Sequence, residues 1–426
     1  MKDDTHAHGS ARGEHQQLVE HFFRHESSRL NAALVRVFGW SRLELVEDMV
    51  QSALLEAMQH WKQRGIPDNP LAWIRTVAHR KVIDYLRREA RSVSLENPAT
   101  DVSAPDHMGE LFADEVIQDS QLRLMFACCH PALSSEFQIV LVLKTLCGFS
   151  LKEIARGLLS TEEAMKKRFQ RAKKLLVDQQ IELSVPVPEE LPARCVPIQR
   201  ILYLLFHEGY RPSQGGEGFR LECCEEAIRL GTLLLQLPGI DSPSTKALVA
   251  LMLLHQARLP GRTDPSGRLL FLEEQNRERW DWPLICRATD LLMQSMNDRS
   301  ISRYHLEAGI IMLHCHQTDW HQTNWQEILN HYDLLMQLAP SPIYGLNRAI
   351  VVAQLHGPQA GLNAVAQIDD LHTLTKYHLL DATLGELHRK LGQNEIARCY
   401  FQQAITKTDS PDEKEMLHRR VAMCGG

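Results

Sequence analysis

Apolar positions recur at three- and four-residue intervals almost throughout this chain, and long two-residue alternation is absent. That pattern predicts an all-α protein. The sharpest segment is 150–176, SLKEIARGLLSTEEAMKKRFQRAKKLL. Leu151, Ile154, Ala155 and Leu158 form one apolar stripe, and Met165, Phe169, Ala172 and Leu176 form a second. Ser160 and Glu163 have the spacing of a capping box, which would start the second helix after a tight turn. Upstream, Ser41 and Glu44 repeat that spacing ahead of the stripe Val46, Val50, Ala53, Ala57 and Trp61. Asn69-Pro70 then offers an N-cap followed by the favoured first-turn proline, opening a helix that runs to Arg91.

Breaks in this pattern divide the chain. Residues 1–15 are polar and read as a disordered leader, and 16–91 form a first helical block. Residues 92–111, rich in Ser, Asp and Pro, read as a flexible linker. A second helical block, 112–182, holds the two-helix segment. In 183–197 the spaced prolines predict a second linker, because proline does not continue a helix. Residues 198–426 form a long third helical region.

Near its end, Leu384-Gly385, Gly392, Ala397, Tyr400 and Ala404 fall where a tetratricopeptide repeat places its small and large packing residues. Tyr400 and Phe401 are expected to fill the space between repeats. Gly357 precedes Gly392 by 35 positions (392 − 357), close to the period of that repeat, about 34 residues. A solenoid-like array reaching back toward Ile198 is therefore predicted.

Composition narrows the function classes. With 426 residues the chain holds two or three domains, and its formal charge of −6 argues against nucleic-acid binding over its whole surface. Any such contact must be local. The polar N-terminus does not read as a secretory signal, and apolar runs such as 247–254 are too short to span a bilayer. A cytoplasmic protein with no membrane association is expected, its 10 cysteines reduced. Cys128-Cys129-His130 with Cys147, and His314-Cys315-His316, lack metal-binding spacing, so no metal or other cofactor is expected. The Gly-rich 211–220 lacks a phosphate-loop ending and reads as a helix-joining loop; LEEQNRERWD (272–281) reads as a salt-bridged helix face. No Ser-His-Asp or paired-carboxylate arrangement stands out, and no enzyme activity is expected.

Local charge is more informative. Lys166, Lys167, Arg168, Arg171, Lys173 and Lys174 occupy the faces of the second helix left over by its apolar stripe, suiting it to lie against phosphates. In the helix opened by Asn69, the cations Arg75, His79, Arg80, Lys81, Arg87, Arg88 and Arg91 alternate with Trp73 and Tyr85, a mix that fits phosphates and unstacked bases. Asp84 lies four residues from both Arg80 and Arg88, so part of that charge could instead be spent within the helix. Glu44, Asp48, Gln51 and Leu55 share one face of the preceding helix, compatible with a partner surface or with solvation.

EDMVQSALLEAMQHW, then NPLAWIRTVAHRKVIDYLRR, a linker, and SLKEIARGLLSTEEAMKKRFQRAKK together resemble a sigma-70-type factor of the extracytoplasmic-function class, which keeps regions two and four. The resemblance covers roughly 16–180. LRLMFACCHPAL, YLLFHEGYRPSQGG, LEEQNRERWD and LAPSPIYGLNRA resemble the tetratricopeptide-like extension of one subgroup. The resemblance implies a bacterial transcription-initiation factor. Glu44, Asp48, Gln51 and Leu55 would dock on the clamp helices of the RNA polymerase largest subunit. Trp73, Arg75, His79, Arg80, Arg87 and Arg88 would meet the −10 element of promoter DNA. Thr161, Glu162, Lys166, Lys167, Gln170, Arg171 and Lys174 would read the −35 element. The extension would bind a protein or peptide.

Four positions depart from the family pattern. Leu159 stands where a turn glycine is usual, Glu162 and Glu163 open the reading helix with negative charge, and His207 replaces an expected Asn. The alternative reading is a helix-turn-helix repressor or adaptor with a repeat domain and no polymerase role.

Overall fold

The computed structural model describes residues 26–65, 67–93, 114–158, 160–210, 220–237, 242–296, 301–317 and 319–425. The 1–15 leader, most of the 92–111 linker, Leu159 and the Gly-rich 211–219 lie outside them. The fold is all-α, with one isolated bridge, Thr263 to Leu269, and no strand among the described residues. The chain divides into two compact units, Met1–Leu204 and Leu205–Gly426.

The first unit opens with α1 (26–38), a 3₁₀ turn Trp40–Arg42, α2 (Leu43–Arg64) and α3 (Pro70–Val93). The α2 stripe is buried as its period predicts: Val46, Val50, Ala53 and Ala57 are fully enclosed, while Trp61 is half-buried. They face Ile74, Ala78 and Val82 of α3. The Asn69 cap forms, its Oδ1 accepting from Ala72 N–H at 3.0 Å. The Ser41 box does not. Buried Trp40 draws the chain into the 3₁₀ turn, and α2 starts at Leu43 with no side-chain cap.

The second half of this unit contains α4 (Asp114–Cys128), α5 (Ser135–Leu141), a π turn (Val142–Leu146), α6 (Leu151–Gly157) and α7 (Glu162–Asp178). Helix α8 (Leu191–Tyr210) corrects the linker expected at 183–197, since it starts at Leu191 and runs through Pro197. Pro192 stands in the first turn, where a missing N–H is tolerated. Pro197 forfeits an internal hydrogen bond, a cost of about 3 kcal/mol or more. Burial of Leu191, Cys195, Ile198, Ile201 and Leu202 along one face offsets it.

The second unit continues with α9 (Arg220–Leu235), α10 (Pro243–Ala257), α11 (Trp282–Ser295), α12 (Arg303–Cys315) and α13 (Trp325–Leu338). Then come α14 (Pro342–His356), α15 (Pro358–Ala366), α16 (His378–Lys390), α17 (Asn394–Lys407) and α18 (Pro411–Met423). Successive helices pack on one another, and α10, apolar on every side, is buried between α9, α11 and α12. No helix among the described residues is long and apolar enough to cross a membrane.

Gly357 joins α14 to α15 and Gly392 lies between α16 and α17, both at positive φ (87° and 76°) that glycine adopts without strain. The 35-residue spacing thus marks equivalent turns. In the later pair, a Cβ on Gly385 would come within 2.8 Å of the Phe401 ring. Phe401 is buried there with Ala397 and Ala404, whereas Tyr400 is only half-buried and stacks on His388, with ring centroids 5.4 Å apart.

LEEQNRERWD is not the helix face expected from its charges. It forms two 3₁₀ turns, Leu272–Glu274 and Arg277–Arg279. Arg420 reaches Glu273 at 2.7 Å, and Arg277 is buried, donating to the carbonyls of His314 (3.0 Å), Gln317 (2.6 Å) and Asp319 (3.3 Å). Glycine-poor, charge-rich sequence here serves to hold other segments' backbone, which helical periodicity does not reveal.

His314 lies parallel to Trp320, centroids 6.1 Å apart, and meets Trp325 edge-on. Burial, followed by the nearby Arg258 and Arg277 charges, pushes it down to about 3 from the usual 6.5. The unfolded chain takes up a proton below about 6.5 that the folded imidazole refuses. Stability is therefore fully present above that pH and falls as pH drops from about 6.5 toward about 3, by up to ~1.4 kcal/mol per pH unit. His305, also lowered by burial, acts in the same direction. Urea unfolding at pH 7.5, 6 and 5 measures the slope, and His314→Phe should flatten it. An equal slope in that variant would contradict the assignment.

Candidate nucleic-acid and partner interface

Helix α7 begins one residue later than the capping box predicts. Thr161, not Ser160, is the N-cap, its Oγ1 accepting from Ala164 N–H at 3.2 Å. The preceding helix carries a box that the sequence reading missed. Glu153 Oε2 accepts from Ser150 N–H at 2.7 Å and from Ser150 O–H at 2.6 Å, while Glu153 N–H donates back to Ser150 Oγ at 3.2 Å. A Ser followed three positions later by Glu was its visible signal.

Met165, Phe169, Ala172 and Leu176 are buried as predicted, packing α7 onto α5 and α6. This fixes which cations face outward. Thr161, Glu162, Lys166, Lys167, Gln170, Arg171 and Lys174 are all exposed, and these four cations make no ion pair among the described residues. Arg168 and Lys173 are committed within the protein, to Glu136 at 3.4 Å and Glu44 at 2.5 Å. The outward cations form one patch on a helix whose dipole is complemented by Glu162 and Glu163.

On α3 the expected basic surface separates into two groups. Arg80, Arg87, Arg88 and Tyr85 are exposed, and neither Arg80 nor Arg88 pairs with Asp84. Lys81 instead reaches Glu56 of α2 at 2.8 Å. His79, however, is 3% exposed, beside Phe38, and burial lowers its basicity. It flanks the Ala78–Val82 stripe and serves packing, not an outward DNA-facing surface. The Arg75 side chain is mostly enclosed, with Glu26 Oε2 at 4.0 Å. Trp73 is half-buried against His60 and Trp61 (centroids at 5.3 and 6.0 Å). Three of the six residues expected at the −10 element therefore lie inward or partly so.

On α2, Glu44, Asp48, Gln51 and Leu55 are exposed on one face, with Leu55 61% and nearby Met58 52% accessible. Acidic groups interleaved with uncovered apolar side chains form a surface suited to a basic, partly apolar protein partner. Glu47, by contrast, turns inward to Lys144 at 3.4 Å. Sequence reading missed this pair, although Lys144 is a single charge set within an apolar run.

The cysteine clusters are packing elements. Cys128 Sγ lies 3.4 Å from Thr145 Oγ1, and burial pushes its thiol up to about 12. Cys315 is likewise buried and pushed up to about 11. His207 sits beside Phe206 and His255, with ring centroids at 6.3 and 6.2 Å.

Residues 22–92 match Sigma-70 region 2, and residues 123–176 match Sigma-70 region 4. Residues 194–296 match a family of unknown function. A protein of Rhizobium meliloti (strain 1021), described only as uncharacterized, is 35% identical over 393 residues, covering 91% of this chain and 92% of its own length. No solved structure matches.

Proposed function

The chain carries matches to Sigma-70 regions 2 and 4, and on that premise we propose that it is a sigma-70-type promoter-recognition factor of the extracytoplasmic-function class. It binds core RNA polymerase through the α2 face of Glu44, Asp48, Gln51 and Leu55, docking on the clamp helices of the largest subunit. Arg80, Arg87 and Arg88, with Trp73 at their edge, contact the −10 element and help hold it open. The α7 patch enters the major groove at the −35 element. The protein acts by binding, with no chemistry of its own, in the bacterial cytoplasm.

The observation that carries this reading is the exposed acidic and apolar face of α2, set beside basic α3 and in the same compact unit as a capped helix-turn-helix. A repressor or adaptor would need only the last of these. Co-elution of the full chain with core polymerase tests the reading. A stable complex supports it, and separate elution at micromolar concentrations contradicts it.

The second unit serves as a fused interaction module of tetratricopeptide-like helix pairs. The equivalent positive-φ glycines and the Gly385–Phe401 contact support that likeness. Its occupant is a protein or peptide that modulates initiation.

The α7 patch yields a quantitative expectation. Lys167→Ala should reduce the slope of log affinity against log salt by about 0.9 for a lost phosphate contact. If Lys167 instead reads a guanine, the loss is about 1–3 kcal/mol and confined to one base pair. Titration of a −35 fragment at several salt concentrations distinguishes these outcomes. An unchanged affinity and slope would remove Lys167 from the interface.

A further inference from the structure

Two guanidiniums meet at one buried indole in the second unit. Arg258, the C-cap of α10, and Arg277 place Cζ 5.2 and 5.3 Å from the Trp280 ring centroid. They are only 6% and 4% exposed. Arg277 satisfies its N–H groups on the three backbone carbonyls already described, but carbonyls leave its charge unneutralised. Arg258 is less well provided for. Its Nε is buried without a hydrogen-bond partner, and its side chain makes neither a hydrogen bond nor an ion pair among the described residues. Asp281, whose N–H donates to Ala257 O at 2.9 Å, is exposed and uses Oδ1 to cap α11. A buried charge is costly unless it is paired, and a stack on an aromatic face offsets only part of that cost.

These charges stand at one wall of a cavity of about 530 Å³. Arg277 and Trp320 line it directly. His314, stacked on Trp320, is near enough to both arginines for their charge to add to burial in keeping it neutral. Lys390, exposed and without an ion pair among the described residues, lines the cavity as a further cation. Glu273 and Asp319 line it too, but both are engaged. Glu273 is held by Arg420 at 2.7 Å, and Asp319 Oδ1 accepts from His321 N–H at 3.0 Å. Gln275 contributes a buried Oε1 with no hydrogen-bond partner.

We propose that this cavity binds a small molecule through one oxyanion group, a carboxylate or a phosphate ester. The inference goes beyond promoter recognition, stands on the second unit alone, and adds a small-molecule ligand to that unit's protein or peptide occupant. The space suits such a ligand, since small-molecule sites commonly enclose about 300–1,000 Å³. A planar guanidinium can take two oxygens at once. Arg258, behind it, acts as a positioning charge whose field is strengthened by the surrounding low dielectric. Gln275 Oε1 accepts from a hydroxyl or N–H beside the oxyanion. Glu273 and Asp319 repel a second negative group, so a polyanion is disfavoured.

Differential scanning calorimetry of the full chain tests this with sodium phosphate and sodium acetate as probes, against sodium chloride at equal ionic strength. At least one probe should raise the second unit's melting temperature saturably, by about 3–6 °C at ten times its dissociation constant. The stronger response identifies the group as phosphate or carboxylate. Arg258→Met should melt at or above the wild-type temperature in chloride, because it removes an unpaired buried charge, and should bind that probe at least about tenfold more weakly. Lys390→Gln, an exposed change that spares the fold, should bind it about twofold to fivefold more weakly. No saturable response to either probe overturns the proposal. So does an undiminished response in Arg258→Met, which would place the anion on the α7 cations instead. A lowered melting temperature of Arg258→Met in chloride would show that its charge is already compensated within the fold, and wild-type affinity in Lys390→Gln would remove the cavity. Either result overturns the proposal as well, and none of these outcomes bears on whether the chain binds core polymerase.

Discussion

Asp48→Arg should weaken binding to core RNA polymerase by about 100-fold or more, about 2.7 kcal/mol, without changing the melting temperature appreciably. Asp48 is exposed on the α2 face and makes no ion pair among the described residues. Its charge is therefore available to a partner. Reversal replaces attraction to a basic docking surface with repulsion, and interfacial charge pairs commonly couple by about 1.5–7 kcal/mol. The fold should tolerate the change, because surface substitutions usually alter stability by no more than about 0.5 kcal/mol. Glu44 and Glu47 nearby even offer the new arginine favourable charges. Fluorescence titration with core polymerase and a thermal melt together check both halves. Wild-type affinity would remove Asp48 from the interface.

Phe169→Ala should have the opposite signature. Phe169 is 4% exposed and packs α7 onto α5 and α6 with Met165, Ala172 and Leu176. Truncating a buried phenylalanine costs about 3–5 kcal/mol through lost transfer energy and the cavity left behind. Typical total stabilities are about 5–15 kcal/mol, so this is a large fraction. For a unit of this size the melting temperature should fall by about 6–20 °C. Binding to a −35 fragment should disappear as that lower transition is crossed, whereas Lys167→Ala weakens binding with no shift in melting. Differential scanning calorimetry beside the DNA titration separates the two. A melting temperature lowered by less than about 2 °C would show that Phe169 does not hold α7 in place.

The contrast between these variants reflects what periodicity encodes. Which residues of α2 and α7 are buried was legible because both helices carry a single, regular apolar stripe. The cations left outside followed from the same geometry. The helix starts were less legible. Ser160 and Thr161 are adjacent hydroxyl residues, so local spacing allows two cap registers, and tertiary packing selects the later one. At Ser41 the burial of Trp40 decides the entry, not the capping side chain. In the same way the apolar face of α8 carries the helix through Pro197. His79 misleads by residue type: it looks like part of a basic surface yet extends the buried side of α3.

The contacts least visible in sequence are those between distant charges. Glu44 and Lys173 are 129 positions apart, and no local pattern links them. Arg277 reads as one charge among many, but its guanidinium organises backbone carbonyls 37 to 42 positions away. The polymerase as a partner came from family resemblance, since an acidic, partly apolar face specifies a kind of surface and not its owner. Even there, the structure added something the resemblance lacked, in showing that Glu44 is already engaged.

Promoter-directed runoff transcription tests the central claim most directly. Core polymerase, the full chain and a library of genomic fragments from the source organism are combined, and transcripts are mapped at their 5′ ends. The sigma assignment predicts discrete start sites that require this protein, with transcripts lost for Asp48→Arg. Absence of protein-dependent initiation on every fragment, with no complex between the chain and core polymerase, would contradict it.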